Sequence, residues 1–516
     1  MALLSEKVFL QLTPPTEDAP ISDQRRIQLA LQDLGYAPVE FPLPILGKLY
    51  PLCRDNNDLT VTLVFRETEW VITDLEAGDR RAHHYALAVD YGSTTVVMRL
   101  VDLNAGTVVA EEKAVNRQTD FGTDILTRIT YTLEDPGHVQ LLHRATIETF
   151  QDLMARLYEQ TGIDTFLCPV MTVSGNTTMI HLLLRLNTWT VFAAPFAPVC
   201  SDPGFFWGQE LGLDFSGLVY ILPAASNYIG GDIISGLLVL GIHKKEETCL
   251  FFDIGTNGEL VLGNRDWILA GAGAAGPALE GYISRFGMRA QAGAIDSVAI
   301  QQDKLHFTTI GGAKPVGICG SGIIDLMAQM RINGWIDAAG QLDPSASDRI
   351  VYLEEEQEYA AVYAPASESA TETPLYFSQT DIGQYLDTKA AAYTMVECLL
   401  ETAGISPEQL DKVYLSGAFP AHSDLESAIT IGIFPDLPRD RYHCIANTSL
   451  EGAQLLLLDR SKLKEARELA SNLYCVQFAS IPDFLIRMQA AKFIPHTDMN
   501  RYPSVRERLQ IKEHHS

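Results

Sequence analysis

One local pattern occurs twice in this sequence, and it constrains the fold more than any other feature. Residues 87–97 read LAVDYGSTTVV and residues 251–261 read FFDIGTNGELV. Each copy is an apolar strand, then Asp-x-Gly with a hydroxyl residue, then a second apolar strand. Two copies so far apart predict two similar half-domains that each open with the same hairpin. From Tyr85 onward, strands alternate with long helical patterns, which predicts α/β architecture with covered sheets.

The turn after each aspartate has the residues of a phosphate-binding loop. Glycine permits a tight turn, and successive backbone N–H groups with Ser or Thr hydroxyls form a concavity for phosphate oxygens. Asp90 and Asp253 cannot bind phosphate directly, because both groups are anions. Their expected role is to hold Mg²⁺, usually through water, or to orient an attacking water. The pair of turns therefore predicts a nucleotide site, against the alternative of two structural hairpins.

Other glycine turns fit the same hypothesis less specifically. Residues 412–419 read as a short strand that runs into a turn, where the backbone at Gly417 can approach an adenine or ribose closely. A helix is predicted to start at Gly320. Ser321 in its first turn could contact nucleotide, or the small residues there could instead serve close packing of the helix. The run GAGAAG at residues 271–276 matches G-x-G-x-x-G and follows a strand, which leaves a dinucleotide site as an alternative. No regular βαβ unit follows it, so we expect a loop that contacts phosphate or a partner instead.

Length and segment composition predict the domain organisation. A chain of 516 residues is expected to form two or three domains. Residues 1–82 are predicted to be a small α/β domain that ends in a polar linker. Residues 83–516 are predicted to be a larger domain in two lobes, of about residues 83–245 and 246–516. In the second lobe, residues 338–378 are rich in Ser, Glu, Ala, Pro and Thr, and are expected to be an exposed, irregular or hairpin-bearing insertion.

Charge and cysteine usage exclude several function classes. The net charge of −27 argues against nucleic acid or anionic lipid as a partner, because the chain would repel both. No apolar run reaches the roughly 18 residues that cross a bilayer, and the first residues do not read as a signal peptide. A soluble cytoplasmic protein with no membrane partner is therefore expected. The eight cysteines are scattered without a C-x-x-C pair, so no iron–sulfur cluster is expected and each thiol is predicted to be buried.

The order of the motifs resembles the actin/Hsp70/sugar-kinase superfamily. Its members carry a first phosphate motif, a connecting helix, a second phosphate motif, an adenosine motif and a second connecting helix. The corresponding segments here are residues 90–95, 227–240, 253–259, 413–419 and 424–432. The resemblance implies an actin-like ATPase domain, a duplicated ribonuclease H-like fold in two lobes, preceded by the small α/β domain.

Within that superfamily the sequence is similar to the reductive activators of corrinoid proteins. The segments that carry this similarity are residues 85–103, 116–129, 174–179, 276–281, 317–322 and 447–452. The similarity extends over residues 83–500, and residues 1–82 also resemble the small domain that precedes the ATPase in that family. Such activators use ATP to drive the return of inactive Co(II) corrinoid to Co(I) in a corrinoid protein of a methyltransferase system.

The resemblance also implies cofactors and roles for individual residues. ATP and Mg²⁺ are the implied cofactors, with Asp90 and Asp253 holding the metal and managing the attacking water. Asp232, at the start of the first connecting helix, would help to position that water. The nucleotide contacts predicted from the motifs and the resemblance together are Gly92, Ser93, Thr94, Thr95, Gly255, Thr256, Asn257, Gly258, Gly273, Gly276, Ser321, Gly417, Ala418 and Phe419.

One part of the family pattern is missing from the sequence. Many of these activators carry a 2Fe–2S domain that supplies the electron, and this sequence has no cysteine set able to bind such a cluster. Either a separate reduced electron-donor protein supplies the electron to the corrinoid protein, or the protein does something other than reduction. A small-molecule kinase on the same fold and a nucleotide-sensing binding module are the alternative functions. The resemblance also allows a homodimer.

Overall fold

The computed structural model describes residues 2–255, 258–273, 283–302, 304–417 and 424–513. Within these ranges the chain is a mixed α/β protein that divides into two compact units. Unit 1 comprises Met1–Gly241 and Thr448–Leu473, and unit 2 comprises Ile242–Asn447 and Tyr474–Ser516. This division into units does not test the predicted domain boundaries, which stay predictions.

The first part of unit 1 is a four-stranded sheet with two helices. Its elements are β1 (Ser5–Gln11), α1 (Asp23–Asp33), β2 (Val39–Glu40), α2 (Leu43–Asp55), β3 (Asp58–Arg66) and β4 (Glu69–Ala77). The strand order is β1-β3-β4-β2, in which β2 runs parallel to β4 and the other pairs are antiparallel. The side chain of Ser22 caps α1 by accepting a hydrogen bond from the Arg25 backbone N–H. This is the small α/β region that the sequence predicts at the start of the chain.

The larger sheet of unit 1 has six strands. Along the chain, helices precede or follow its parallel strands. The strands are β5 (Tyr85–Tyr91), β6 (Thr95–Asp102), β7 (Thr107–Val115), β8 (Val170–Ser174), β9 (Gly204–Trp207) and β10 (Leu218–Ile221). The helices are α3 (Ile125–Glu134), α4 (His138–Thr161), α5 (Thr177–Leu183), α6 (Trp189–Phe192) and α7 (Gly231–Leu240). The strand order is β7-β6-β5-β8-β10-β9.

The remaining elements belong to unit 2, apart from two helices. The strands are β11 (Cys249–Ile254), β12 (Gly258–Gly263), β13 (Ile268–Gly273), β14 (Ala294–Gln301), β15 (Lys304–Thr309), β16 (Gly317–Ile318), β17 (Ile350–Leu353), β18 (Glu358–Ala364), β19 (Leu375–Ser378), β20 (Lys412–Ser416), β21 (Tyr442–Cys444) and β22 (Tyr474–Val476). The helices are α8 (Gly320–Ile332), α9 (Gln379–Ala403), α10 (Leu425–Ile431), α11 (Thr448–Leu458), α12 (Ser461–Asn472), α13 (Phe484–Ala491) and α14 (Pro503–Glu513). Helices α11 and α12 lie in unit 1.

The largest sheets of the two units have the same core topology. In unit 1 the order β7-β6-β5-β8-β10 places three antiparallel strands beside two strands parallel to β5. In unit 2 the order β13-β12-β11-β20-β21 repeats this arrangement, with β20 and β21 parallel to β11. The duplication predicted from the two Asp-x-Gly hairpins is therefore confirmed.

Unit 2 carries two smaller sheets, of order β15-β14-β16 and β17-β18-β19. The second lies within the predicted insertion at residues 338–378, where β17 and β18 form an antiparallel hairpin. The sequence predicts an exposed, irregular or hairpin-bearing insertion. The hairpin is present, but β18 and β19 are mostly buried rather than exposed, because side chains such as Tyr363 and Phe377 lie in the core of unit 2. No helix in the described ranges is both long and apolar enough to cross a membrane.

Unit 2 also contains a fully buried ammonium group. Lys389 on α9 donates from Nζ to the carbonyl oxygens of Ala491, Phe493 and Pro495, at 2.5, 2.6 and 2.5 Å. These carbonyls lie at the end of α13 and in the segment that follows it. The carbonyl dipoles replace the water that burial removes, so Lys389 fixes this C-terminal segment to α9. The same burial lowers the pKa of Lys389.

The substitution Lys389→Met is expected to destabilise the protein by at least about 2 kcal/mol, because it leaves three carbonyl groups without their donor. The control is Lys492→Met, which removes the partner of Asp387 from a surface ion pair and is expected to cost about 0.5 kcal/mol or less. The midpoint of thermal unfolding compares the two variants. Equal shifts for both would show that the three-carbonyl contact does not stabilise the fold.

Candidate functional site

The first Asp-x-Gly turn is a tight connection between β5 and β6. Asp90 lies next to the end of β5, and Ser93 and Thr94 form the bend before β6 begins at Thr95. A Cβ atom at Gly92 would lie 2.4 Å from the Thr95 carbonyl oxygen, so the turn requires glycine. The backbone of residues 92–95 thus follows the compact path that was predicted for a phosphate-binding turn.

Asn116 holds this turn from the neighbouring strand. It follows β7 directly and is fully buried. Its backbone N–H donates to the Thr94 carbonyl at 2.9 Å, and its Nδ2 donates to the Gly92 carbonyl at 3.0 Å. Its Oδ1 also accepts from the Gln118 backbone N–H. Asn116 begins one of the segments on which the family resemblance depends, and its contacts give that segment a physical role that the sequence alone did not supply.

A buried polar cluster lies behind the same turn. Gln118 donates from Nε2 to the Tyr91 hydroxyl at 3.1 Å and to the Thr146 hydroxyl at 2.7 Å. Arg128, also fully buried, donates from Nε to the Gly122 carbonyl at 2.9 Å. Burial lowers the pKa of Arg128 and raises that of Tyr91. The cluster fixes residues 116–128 against the end of β5.

The carboxylate of Asp90 accepts a hydrogen bond from a distant part of the sequence. Ser449 Oγ, in the second position of α11, lies 2.7 Å from Asp90 Oδ1. Ser449 Oγ lies 2.9 Å from Ser174 Oγ at the end of β8, and Ser174 Oγ lies 2.9 Å from Ser235 Oγ on α7. Three hydroxyl groups from three elements thus form a connected row that ends on Asp90.

Asp232 lies in the first turn of α7, and two glycines determine its position. A Cβ at Gly230 would lie 2.5 Å from Asn176 Cα, and one at Gly231 would lie 2.9 Å from Leu222 Cβ. The Gly231 N–H donates to the Gly175 carbonyl at 2.9 Å. The start of α7 is therefore packed closely against the loop that follows β8.

The environment of Asp232 opposes its ionisation. Burial, in first place, and the nearby charge of Asp90 raise the pKa of Asp232, although its Oδ1 accepts a hydrogen bond from the Ile233 N–H at 2.9 Å. The structure therefore brings together two of the three predicted catalytic carboxylates, Asp90 and Asp232, within unit 1. A carboxyl group with a raised pKa is suited to accept a proton near neutral pH.

The second Asp-x-Gly turn lies at the equivalent position in unit 2. Asp253 on β11 pairs in register with Ser416 at the end of β20. Gly417 follows with φ of +98°, and a Cβ there would lie 2.2 Å from the Ile254 carbonyl oxygen. The tight packing of Gly417 against β11 therefore explains why this position is glycine, whether or not a nucleotide binds there. Gly255 lies in the bend after β11, and Gly258 begins β12.

The first half of the glycine run, residues 271–273, differs from the loop that was predicted, and residues 274–276 lie outside the described residues. Gly271 and Gly273 lie in β13, paired antiparallel with β12. A Cβ at Gly273 would lie 2.3 Å from Met395 Sδ, and one at Gly271 would lie 2.5 Å from Phe478 Cζ. These two glycines therefore allow α9 and Phe478 to pack on the sheet. The loop prediction was wrong for this half of the run. Its position inside β13, and not in a turn between a strand and a helix, also argues against the dinucleotide alternative.

Ser321 and most of the cysteines are buried in the fold. Ser321 is buried in the first turn of α8, and its hydroxyl donates to the Asp296 carbonyl at 2.9 Å. Five of the eight cysteines are buried, as predicted, whereas Cys200 and Cys475 are half-buried and Cys444 is exposed. Burial raises the pKa of Cys168 to about 12.

Part of the predicted site lies outside the described residues. This applies to Thr256, Asn257, Gly276, Ala418 and Phe419. Among the residues that the structure describes, no group of three or more His, Cys, Asp or Glu side chains is arranged to hold a metal ion. The nucleotide contacts and the metal-binding roles of Asp90 and Asp253 stay predictions.

Comparisons with known proteins identify the family to which these motifs belong. Residues 1–82 match the RACo linker region, residues 85–245 the RACo middle region, and residues 247–506 the C-terminal domain of RACo, the ASKHA domain. The solved structure of a reductive activator for corrinoid, iron–sulfur protein superimposes with a TM-score of 0.89 at 34% identity, covering 98% of this chain and 81% of that one.

Two curated proteins are also similar along most of their length. The corrinoid activation enzyme RamQ of Eubacterium limosum is 29% identical over 476 residues, which cover 88% of this chain and 80% of that protein. The Co(II) methylated amine-specific corrinoid protein reductase of Methanosarcina barkeri is 25% identical over 422 residues, which cover 75% of this chain and 73% of that protein.

The raised pKa of Asp232 predicts how stability depends on pH. Because the folded-state pKa lies above the unfolded value, the native state binds more protons between the two values, and stability falls as pH rises through that window. Asp232→Asn keeps the acceptor for the Ile233 N–H and removes the charge. In buffer without Mg²⁺ or nucleotide, the variant should gain at least about 1 kcal/mol relative to wild type between about pH 5 and pH 8, as measured by thermal unfolding.

The control for this prediction is Asp343→Asn on the surface. The Ser345 side chain lowers the pKa of Asp343, so this carboxylate stays ionised throughout the same range. The difference between Asp343→Asn and wild type should therefore not vary with pH. A flat difference for Asp232→Asn as well would contradict the burial of its charge.

Proposed function

This chain belongs to the RACo family, and on that premise we propose that it is an ATP-dependent activator of a corrinoid protein. In the proposed reaction, a corrinoid protein of a methyltransferase system is returned from Co(II) to Co(I). One electron enters from a reduced donor protein and ends on the cobalt. Hydrolysis of ATP to ADP and phosphate supplies the free energy that makes this transfer favourable.

The observation that carries the proposal is the repeated sheet with a matching carboxylate. In each unit the strand that lies between the antiparallel and parallel halves of the sheet presents an aspartate near its end, Asp90 on β5 and Asp253 on β11. From the sequence, each aspartate is expected to be followed by a glycine turn with backbone N–H groups suited to phosphate oxygens. Two such turns in one chain favour a nucleotide with several phosphates over a singly charged metabolite.

Mg²⁺–ATP fits the residues that are present. Mg²⁺ keeps most of its waters and binds through one or two carboxylates and the nucleotide phosphates, so it does not need a cage of protein ligands. Asp90 and Asp253 would hold this ion, and the backbones of residues 92–95 and 255–258 would hold the phosphates. When bound, Mg²⁺–ATP supplies a phosphoanhydride bond whose hydrolysis is favourable.

Asp232 is proposed to accept a proton from the attacking water. Its carboxyl group is held at the start of α7 by the packing of Gly230 and Gly231, and its raised pKa matches a proton acceptor that works near neutral pH. Asp90 lies beside it, and in the metal-free protein its charge is a further cause that raises that pKa. The two carboxylates thereby have different roles, one toward the metal ion and one toward water.

The electron is proposed to come from a separate donor protein. The eight cysteines are dispersed, and among the described residues no group of three or more His, Cys, Asp or Glu side chains is arranged to hold a metal. An iron–sulfur cluster is held by a set of cysteine thiolates, so the cluster is proposed to lie on another protein. The chain's own part is then to couple nucleotide state to the docking of the corrinoid protein. A nucleotide shifts that equilibrium only by its difference in affinity for the two states.

ATP hydrolysis tests the proposal. A purified methyltransferase corrinoid protein in the Co(II) form should stimulate ATP turnover by the wild-type protein, and Asp253→Ala should reduce the stimulated rate by about 100-fold or more, since it removes a metal-holding carboxylate. Asp343→Ala, on the surface, is the matched control and should keep the wild-type rate. Turnover that ignores the corrinoid protein and depends on a small metabolite would instead favour a kinase.

A further inference from the structure

We propose that Ser449 is a positioning residue for Asp90. Its hydroxyl bonds the carboxylate directly and lies at the end of a row of hydroxyl groups formed with Ser174 and Ser235. The inference rests on the proposed function, in which Asp90 holds hydrated Mg²⁺ beside ATP. It assigns a role to the segment at residues 447–452. Neither the sequence pattern nor the phosphate turns explain this segment.

The chemistry of the carboxylate sets the direction of the hydrogen bond at the end of this row. An ionised carboxylate only accepts, so Ser449 Oγ, which lies 2.7 Å from Asp90 Oδ1, donates to it. Ser449 is also placed as a donor to Ser174 Oγ at 2.9 Å. Because a serine hydroxyl has one proton, Asp90 and Ser174 compete for it, and the charged carboxylate is the stronger acceptor. Ser174 Oγ and Ser235 Oγ lie 2.9 Å apart, and either hydroxyl can donate to the other.

Burial makes this arrangement specific. Ser174 and Ser235 are fully buried, and Ser449 is 6% exposed. Water therefore does not easily replace a hydroxyl group that is removed from the row. The hydrogen bond to Asp90 is charge-assisted, which makes it stronger than one between neutral groups.

Helix α11 is seated by contacts other than Ser449. A Cβ at Gly452 would lie 2.5 Å from Ser235 Cβ, so glycine there permits α7 and α11 to approach closely. Thr172 on β8 donates from Oγ1 to the Ala453 carbonyl at 2.8 Å. Because these contacts hold the helix, the Ser449 hydroxyl is not needed to attach α11, and the group it serves directly is the Asp90 carboxylate.

The consequence for the reaction is geometric. A bond to Oδ1 fixes the rotation of the Asp90 carboxylate and hence the direction in which it presents its oxygens to a hydrated metal ion. Removal of such an outer hydrogen bond typically costs about 10-fold to 100-fold in metal affinity or activity. Ser449 is proposed to contact neither nucleotide nor metal and to act only through Asp90.

The test measures binding of Mn²⁺–ATP, with Mn²⁺ as a paramagnetic substitute for Mg²⁺, by electron paramagnetic resonance. Ser449→Ala and the nearly isosteric Ser449→Cys should weaken the Mn²⁺-dependent binding of ATP by about 10-fold or more, and Ser449→Thr, which keeps the hydroxyl, should restore most of it. The metal concentration for half-maximal ATP turnover should rise in parallel. The control is Ser297→Ala, which removes a serine hydrogen bond to Asp325 in unit 2 and should bind as wild type does.

The outcomes separate this inference from the proposed function. If wild-type protein binds no Mn²⁺–ATP, both fail. If wild type binds it and Ser449→Ala and Ser449→Cys bind equally well, the positioning role fails and the proposed function stands. If Ser449→Thr is as weak as Ser449→Ala while both unfold at the wild-type temperature, the hydroxyl is not the group that acts, which also overturns the inference.

Discussion

Two carboxylates that repel each other, Asp90 and Asp232, are held close together in unit 1, and the surrounding structure is organised to keep them there. Burial and the charge of Asp90 raise the pKa of Asp232, so the fold spends stability to maintain this pair. Gly230 and Gly231 permit the close approach of α7 to the loop after β8. Asn116 fixes the turn that follows Asp90. A bound cation near these groups would offset their repulsion, which is a physical reason to expect a metal–nucleotide complex at this place.

The features that were predictable from sequence are those with a local cause. The Asp-x-Gly hairpins combine apolar strands with glycine turns, so their duplication was visible and the matching sheets follow from it. The hydrogen bond from Ser449 to Asp90 joins residues 359 positions apart in sequence, and no pattern in a single sequence connects them. Helix α2 was not predicted because prolines and Gly47 interrupt its pattern, and Tyr50 has non-helical angles within it.

The glycine run shows how one local pattern fits two structures. Glycine at positions 271 and 273 is explained equally well, from sequence, by a phosphate loop or by close packing of neighbouring elements. Only the positions of Met395 and Phe478, which are far away in sequence, decide between them. The same holds for Asn116, which directly follows β7. Its bonds to residues 92 and 94 depend on β7 lying beside β6.

ATP is proposed to drive the reduction of a corrinoid protein, and the absorbance change from Co(II) to Co(I) measures this coupling. A Co(II) corrinoid protein would be mixed with this protein and with a reductant whose potential is too high to reduce the cobalt unaided. Co(I) is expected to appear only when ATP is present, and not with ADP or a non-hydrolysable ATP analogue. Equal formation of Co(I) without ATP, or ATP hydrolysis with no Co(I) formed, would contradict the proposed coupling.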